Sequence, residues 1–305
     1  MGRANRQQFA AMDVPVQGRS LSLLREWTRR EVLSAAQEYT AGLLGRPVSE
    51  IVAETADRAA AGWYVGGHQP TLFHPGVWVK NFVVGALSRS EQGIGLNLVV
   101  DNDTLSTTAI RVPAGTADIP RVDQVLLDEP RSTRPWEEAR LVNRRLFESF
   151  PSRVEEKLSD WGIRPLLSEF WPAAVRHAAR SDRLADCLTA ARNQWERRWG
   201  SNNLELPLSR LCRLDPFLWF ASHLLAHLPR IHTLYNEVLQ EYRHVNRLRS
   251  RTHPVPDLRI DDGWYEAPFW IWEAGEVIRR RLLARQEGGE VLLSNGSKVL
   301  AALPL

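Results

Sequence analysis

The sequence has few of the residues and patterns that would classify it at once. It holds two cysteines in 305 residues. Cys187 and Cys212 lie far apart and form no C-x-x-C or Cys/His cluster, which excludes a disulfide framework and a thiolate zinc site and leaves both as buried thiols. No window reaches the roughly 18 apolar residues of a membrane span, and the Met1 to Met12 region has no long apolar stretch behind basic residues, so a soluble cytoplasmic chain is expected. G-x-G-x-x-G is absent, and no G-K-[ST] follows the glycines of residues 66–76, which excludes the dinucleotide fingerprint and the phosphate loop there. No nucleophile elbow is present. The formal charge of +3 is too mild to argue for nucleic acid as a partner. Internal repeats and low-complexity linkers are also missing, which favours one continuous architecture.

What remains is the composition of a folded protein, with 44% hydrophobic and 25% charged residues. Twelve tryptophans suit an aromatic core, with some available to line a cleft. Residues 1–19 read as loosely ordered, and Ser20 to Ala60 as helical. Trp63-Tyr64-Val65 predicts a buried strand, Pro75 a helix start running to Leu87, and Leu96 to Val100 a second strand. Short strands are expected at 108–112 and 122–127, and helices from Pro135 to Gly200, clearest over Leu184 to Trp199. Asp215-Pro216 opens another helix, and Ile231 to Leu248 keeps the spacing of a long amphipathic one. Strands close the chain near Phe269 to Trp272 and Val291 to Leu293. These elements predict an α/β fold with a Rossmann-like parallel sheet core, a helical insertion and a helical N-terminal segment. The divisions are residues 1–60 (helical segment), 61–134 (first part of the core), 135–200 (insertion) and 201–305 (helices and the C-terminal part of the core).

The stretch GGHQPTLFHPGVWVK, from Gly66 to Lys80, joins the first predicted strand to its helix. Ligands of parallel sheets bind beyond the carboxyl ends of the strands. Gly66, Gly67 and Gly76 would allow close backbone approach, and the amides after Pro75 would face a phosphate or carboxylate. His68 and His74 are candidate catalytic groups that donate to developing charge; Gln69 would orient the ligand, and Lys80 would add a point charge. Asp101, Asn102 and Asp103 leave the neighbouring strand toward the same crevice, where they would contact an amine, a hydroxyl or hydrated Mg²⁺. A glycine turn and a solvated acidic loop are the plainer reading of each piece taken alone.

Two resemblances attach to these residues. His74-Pro75-Gly76-Val77 looks like a degenerate H-x-G-H signature of the nucleotidylyltransferase and class I synthetase superfamily, with Val77 in place of the last histidine. Gly67 to Phe73, together with Asp101-Asn102-Asp103, is similar to the loop and acidic turn of the bacillithiol-synthesis cysteine-adding enzyme family. The likeness spans about 45 residues. It implies a Rossmann core and a ligase or transferase that joins an amino acid or amine to a sugar-like or acidic acceptor. It also implies nucleotide involvement, with ATP, ADP or Mg²⁺ the cofactors to test. A small anionic substrate and a homodimer fit this picture.

Elsewhere, Arg243, Arg247, Arg249, Arg251 and His253 leave the long helix as a basic cluster, either a solvated helix end or a contact for a substrate anion or RNA. Glu266, enclosed by Trp264, Tyr265, Phe269, Trp270 and Trp272, is the third candidate catalytic residue, as an acid or base. His223 and His227 stand four apart without a third ligand and read as packing histidines. A non-catalytic anion-binding or scaffold protein and an RNA-associated protein are the rival functions.

Overall fold

The structure, a computed structural model, describes residues 2–58, 62–72, 74–116, 118–130, 133–250, 252–273, 276 and 278–305. Its chain divides into two compact units, residues 29–214 and residues 1–28 with 215–305.

The first unit is built on three parallel strands. The long helix α1 (Leu21–Leu44) enters it, and α2 (Val48–Thr55) follows. Strand β1 (Trp63–His68) leads to helix α3 (Pro75–Ser90) and then to β2 (Ile94–Val99). β2 is central, pairing in parallel with β1 on one side and with β5 (Leu204–Pro207) on the other. A strand covered on both faces needs an almost unbroken apolar run, and Ile94, Leu96 and Val99 are buried accordingly. Ile94, Leu96, Leu204 and Leu206 pack with Val32, Ala36 and Ile51 of the preceding helices.

A second layer covers residues 105–191. Hairpin β3 (Ala109–Gly115) and β4 (Pro120–Leu126) is antiparallel. It packs with α4 (Phe150–Leu158), α5 (Leu167–Ala178) and α6 (Leu184–Arg198) around Phe147, Phe150 and Trp171. The Trp171 ring lies 4.6 Å from that of Phe147 and 4.7 Å from that of Phe150, and its indole NH donates to the Phe147 carbonyl at 2.6 Å. An indole can therefore be fully buried here without an orphaned donor.

The second unit carries helices α7 (Asp215–Ala226) and α8 (Leu228–Val245) and a five-stranded antiparallel sheet. Its strands are β6 (Ile260–Asp261), β7 (Trp264–Ile271), β8 (Arg280–Glu287), β9 (Glu290–Ser294) and β10 (Val299–Pro304). Arg19 stacks between Trp27 and Trp219, its guanidinium carbon 4.5 Å and 4.3 Å from the two ring centres.

This corrects the predicted fold class. The chain is α/β, but parallel pairing is confined to β1, β2 and β5, and the remaining sheets are small and antiparallel. The Rossmann-like core and the superfamily assignment that rested on it therefore fail. The terminal strands do not return to the first sheet; they pair with one another through short turns. Residues 1–19 are also more regular than expected, with a helix over Gly2–Ala11 and a short pair joining Pro15–Val16 to Arg19–Ser20.

Candidate functional site

Strand β1 runs three residues beyond its predicted end at Val65, to His68. Gly66 and Gly67 lie inside it, in register with Asn97 and Leu98. A Cβ at Gly66 would stand 3.1 Å from the Val84 side chain, and one at Gly67 would stand 3.0 Å from the Leu98 carbonyl oxygen. Their lack of a side chain thus serves packing against α3 and β2, not the relaxed turn expected from sequence. The bend comes after His68, whose Nδ1 lies 3.2 Å from the Gln69 carbonyl oxygen.

His74 is the N-cap of α3, with its Nδ1 accepting from the Gly76 NH at 3.1 Å and Pro75 in the first turn. That nitrogen is committed to helix initiation. Gly76 and Lys80 are exposed on the first turns of the same helix. Phe73 lies outside the described residues.

At the carboxyl ends of β1 and β2 the chain brings Gln69 and Asp103 together, the amide nitrogen donating to Asp103 Oδ2 at 2.7 Å. Asp103 Oδ1 accepts from the Thr104 NH at 2.7 Å. The two loops are also joined through the backbone, because the Val100 NH donates to the His68 carbonyl at 3.0 Å. Asn102 is the exposed tip of this turn.

Asp101 plays a different part from the one expected. Only 1% of it is exposed, so it does not reach an external ligand directly. Its carboxylate accepts from the Ser209 NH at 2.9 Å and from the Ser209 hydroxyl, just after β5, and Arg183 Nη2 stands 3.9 Å away. Burial pushes its proton affinity up, while the Ser209 bonds and Arg183 oppose the shift.

The sequence reading missed Glu137. Its NH donates to the Asp101 carbonyl at 2.8 Å, and the Trp136 NH donates to the Asp103 carbonyl at 3.0 Å, so residues 134–137 close over the acidic turn. Burial first, and the nearby Asp101 charge second, raise the Glu137 pKa; Arg213 and Arg183 pull it back. Cys212 is raised by burial and by the same two acids. The result is a half-buried carboxyl group disposed to take up a proton, beside two cations and a second, enclosed carboxyl. The sole sequence signal was an acidic pair after Pro135-Trp136, which also reads as an ordinary helix start.

Sequence reasoning also missed a buried charge cluster beneath this edge. Arg192 donates to Glu205 Oε2 at 2.6 Å and Oε1 at 3.0 Å, and to Glu196 at 2.9 Å and 3.0 Å. Both glutamates are fully buried. Trp78 Nε1 and Asn81 Nδ2 each donate to Glu196 Oε1 at 2.7 Å, and Asn193 and Asn97 complete Glu205 Oε1 at 3.1 Å and 3.2 Å. Two carboxylates share one guanidinium, and burial raises the Glu205 pKa despite Arg192. The signal was Glu205 standing alone within the apolar strand Leu204-Glu205-Leu206.

The other candidates belong to the second unit. Arg243 is buried and bridges Asp257 at 2.7 Å, and it donates to the His253 and Val255 carbonyls at 3.1 Å and 2.6 Å. It clamps the turn after α8 and is not part of an open basic surface. Arg247 and His253 are exposed, and Arg251 lies outside the described residues. Glu266, also buried, accepts from the Arg259 NH at 3.2 Å and from Arg281 at 3.1 Å, a structural ion pair within the sheet. Among the described residues, no group of three or more His, Cys, Asp or Glu side chains is placed to hold a metal ion. No described helix is long and apolar enough to cross a membrane.

No family model and no curated protein matches the chain. The reading of the site therefore rests on its own geometry.

Proposed function

We propose that the protein is a small-molecule ligase or transferase that joins an amine to a sugar-like or acidic acceptor at the carboxyl edge of β1 and β2. One observation carries this reading: where two adjacent parallel strands end, Gln69 bonds to Asp103, and backbone hydrogen bonds tie half-buried His68 and Glu137 to the same acidic turn. In such crevices the scaffold fixes loop side chains with little reorganisation.

Glu137 is the proton acceptor in this scheme. An ammonium group must lose a proton before its nitrogen can attack, and a carboxylate of raised proton affinity takes that proton better than an ordinary one. Asp101 touches no substrate and acts on Glu137 through its charge, with Ser209 fixing its orientation. The Gln69–Asp103 pair orients an acceptor hydroxyl or the amine; as the nitrogen bonds to the acceptor carbon, the bond from that carbon to its phosphate leaving group breaks, and His68 donates to the departing oxygen. Arg183 and Arg213 favour an anionic substrate. The resemblance of Gly67 to Phe73 and of Asp101 to Asp103 to the cysteine-adding enzyme family points to the same class of reaction.

The test combines calorimetry with turnover. Wild type, His68→Ala, Glu137→Gln and Asp103→Asn are titrated with amino acids, sugar acids and sugar phosphates, each with and without ATP or ADP, and the mixtures are analysed by mass spectrometry for an amine–acceptor conjugate. The expected result is conjugate formation by wild type, its loss in Glu137→Gln with binding retained, and weakened binding in His68→Ala and Asp103→Asn. Binding without a conjugate from any pairing would replace this reading with that of a non-catalytic anion-binding protein, and absence of binding would remove the site altogether.

A further inference from the structure

Behind the crevice, the loop after β1 also forms one wall of a separate cavity. Thr71 and Leu72 line it, together with residues from β3, α4, α5 and α6, and its volume is about 370 Å³. That lies at the small end of the roughly 300–1,000 Å³ typical of ligand pockets. Most of the lining is aliphatic or aromatic, as in Val112, Leu158, Leu167, Phe170 and Leu188.

Among the described residues, the two charged ones that line this cavity are arginines, Arg111 and Arg192. They differ in what they have available. Arg192 is spent on Glu196 and Glu205. Arg111 is exposed and has no ion pair among the described residues. It precedes buried Val112 on β3, and both residues line the cavity. Among the described residues, no carboxylate lines the cavity.

We infer that this cavity binds an amphipathic monocarboxylate, its apolar tail enclosed by α4, α5 and α6 and its carboxylate held by Arg111. Burying the tail supplies the affinity, and a guanidinium supplies the two parallel donors that a carboxylate matches and an alcohol does not. This inference is independent of the proposed reaction, because neither the cavity nor Arg111 depends on what occurs at Glu137.

The test measures binding of three probes by calorimetry below their micellar concentrations: decanoate, decanol and acetate. Decanoate is expected to bind, decanol to bind about tenfold more weakly, and acetate not to bind measurably, the tenfold preference being the value of one charge-assisted contact. Arg111→Gln should remove the preference for decanoate over decanol while leaving decanol affinity unchanged. Leu166→Trp, at a partly exposed lining position, should fill the cavity and abolish both, with circular dichroism checking that the variant is folded. Equal affinity of wild type for decanoate and decanol, unchanged decanoate affinity in Arg111→Gln, or binding retained by folded Leu166→Trp would each overturn the inference. Failure of all three probes to bind wild type would do the same, without touching the group-transfer reading.

Discussion

The Gln69 amide nitrogen lies 2.7 Å from Asp103 Oδ2 and spans the ends of two parallel strands, tying the residue after β1 to the acidic turn after β2. The bond is charge-assisted, and a hydrogen bond to an ionised partner contributes about 1.5–3 kcal/mol. Gln69→Ala should destabilise the protein by about 1.5–2 kcal/mol, the lower part of that range because both groups are half-buried and water replaces some of the loss. Gln69→Glu should cost more near neutrality and recover in acid, because it sets two carboxylates against each other until one is protonated. Urea midpoints at neutral and acidic pH check both expectations. Equal midpoints for wild type and Gln69→Ala would show that the two loops are held by the backbone alone.

That juxtaposition was legible in the sequence because it is local. A strand, a loop, a helix beginning at Pro75 and a second strand must bring the residues after the two strands to one edge, whatever the rest of the chain does. The error in fold class has the opposite origin. The run Trp264 to Ile271 and the run Glu290 to Ser294 have the same apolar character in a parallel or an antiparallel sheet, and periodicity does not reveal the pairing partner. Gly66 and Gly67 misled in a related way, since a glycine that permits a bend and one that makes room for Val84 look alike in a single sequence. Arg192 and Glu196 were illegible for a third reason. Spaced four apart on a helix, they have the pattern of a solvated surface pair, and only the insertion of the following strand, which bears Glu205, into the parallel sheet turns them into a buried cluster.

The buried cluster sets the second expectation. Arg192 is the one cation among the side chains that contact Glu196 and Glu205 in the described network. Removing one member of a buried ion pair typically costs about 3–5 kcal/mol, because the remaining charge is neither paired nor solvated. Arg192→Met should therefore lose about that much or fail to fold. Arg192→Lys should fall between, since an ammonium keeps the charge but lacks the planar fork that reaches both carboxylates at once. Urea unfolding of both variants gives the order. If Arg192→Met kept wild-type stability, the cluster would contribute to specificity of packing and not to stability.

The third expectation concerns pH at Asp101. Its pKa is raised in the folded protein, mainly by burial. Below the unfolded value, near pH 4 (about 3.9 for a free aspartate), the group is protonated in both states and imposes no penalty. As pH rises through the raised folded value, the unfolded chain has already released its proton, and stability falls until both states are ionised. The Ser209 hydroxyl lowers the Asp101 pKa and so limits this loss. Ser209→Ala should push the folded pKa higher, widening the window upward and deepening the loss by about 1–2 kcal/mol at neutrality, with little effect in acid. Glu137, beside it, is shifted in the same direction, so the control is the same substitution in an Asp101→Asn background. There the gap between Ser and Ala at position 209 should no longer depend on pH. Urea midpoints across the acid-to-neutral range measure it, and a gap of constant size in the Asp101 protein would mean that the hydroxyl acts by packing and not on the carboxylate.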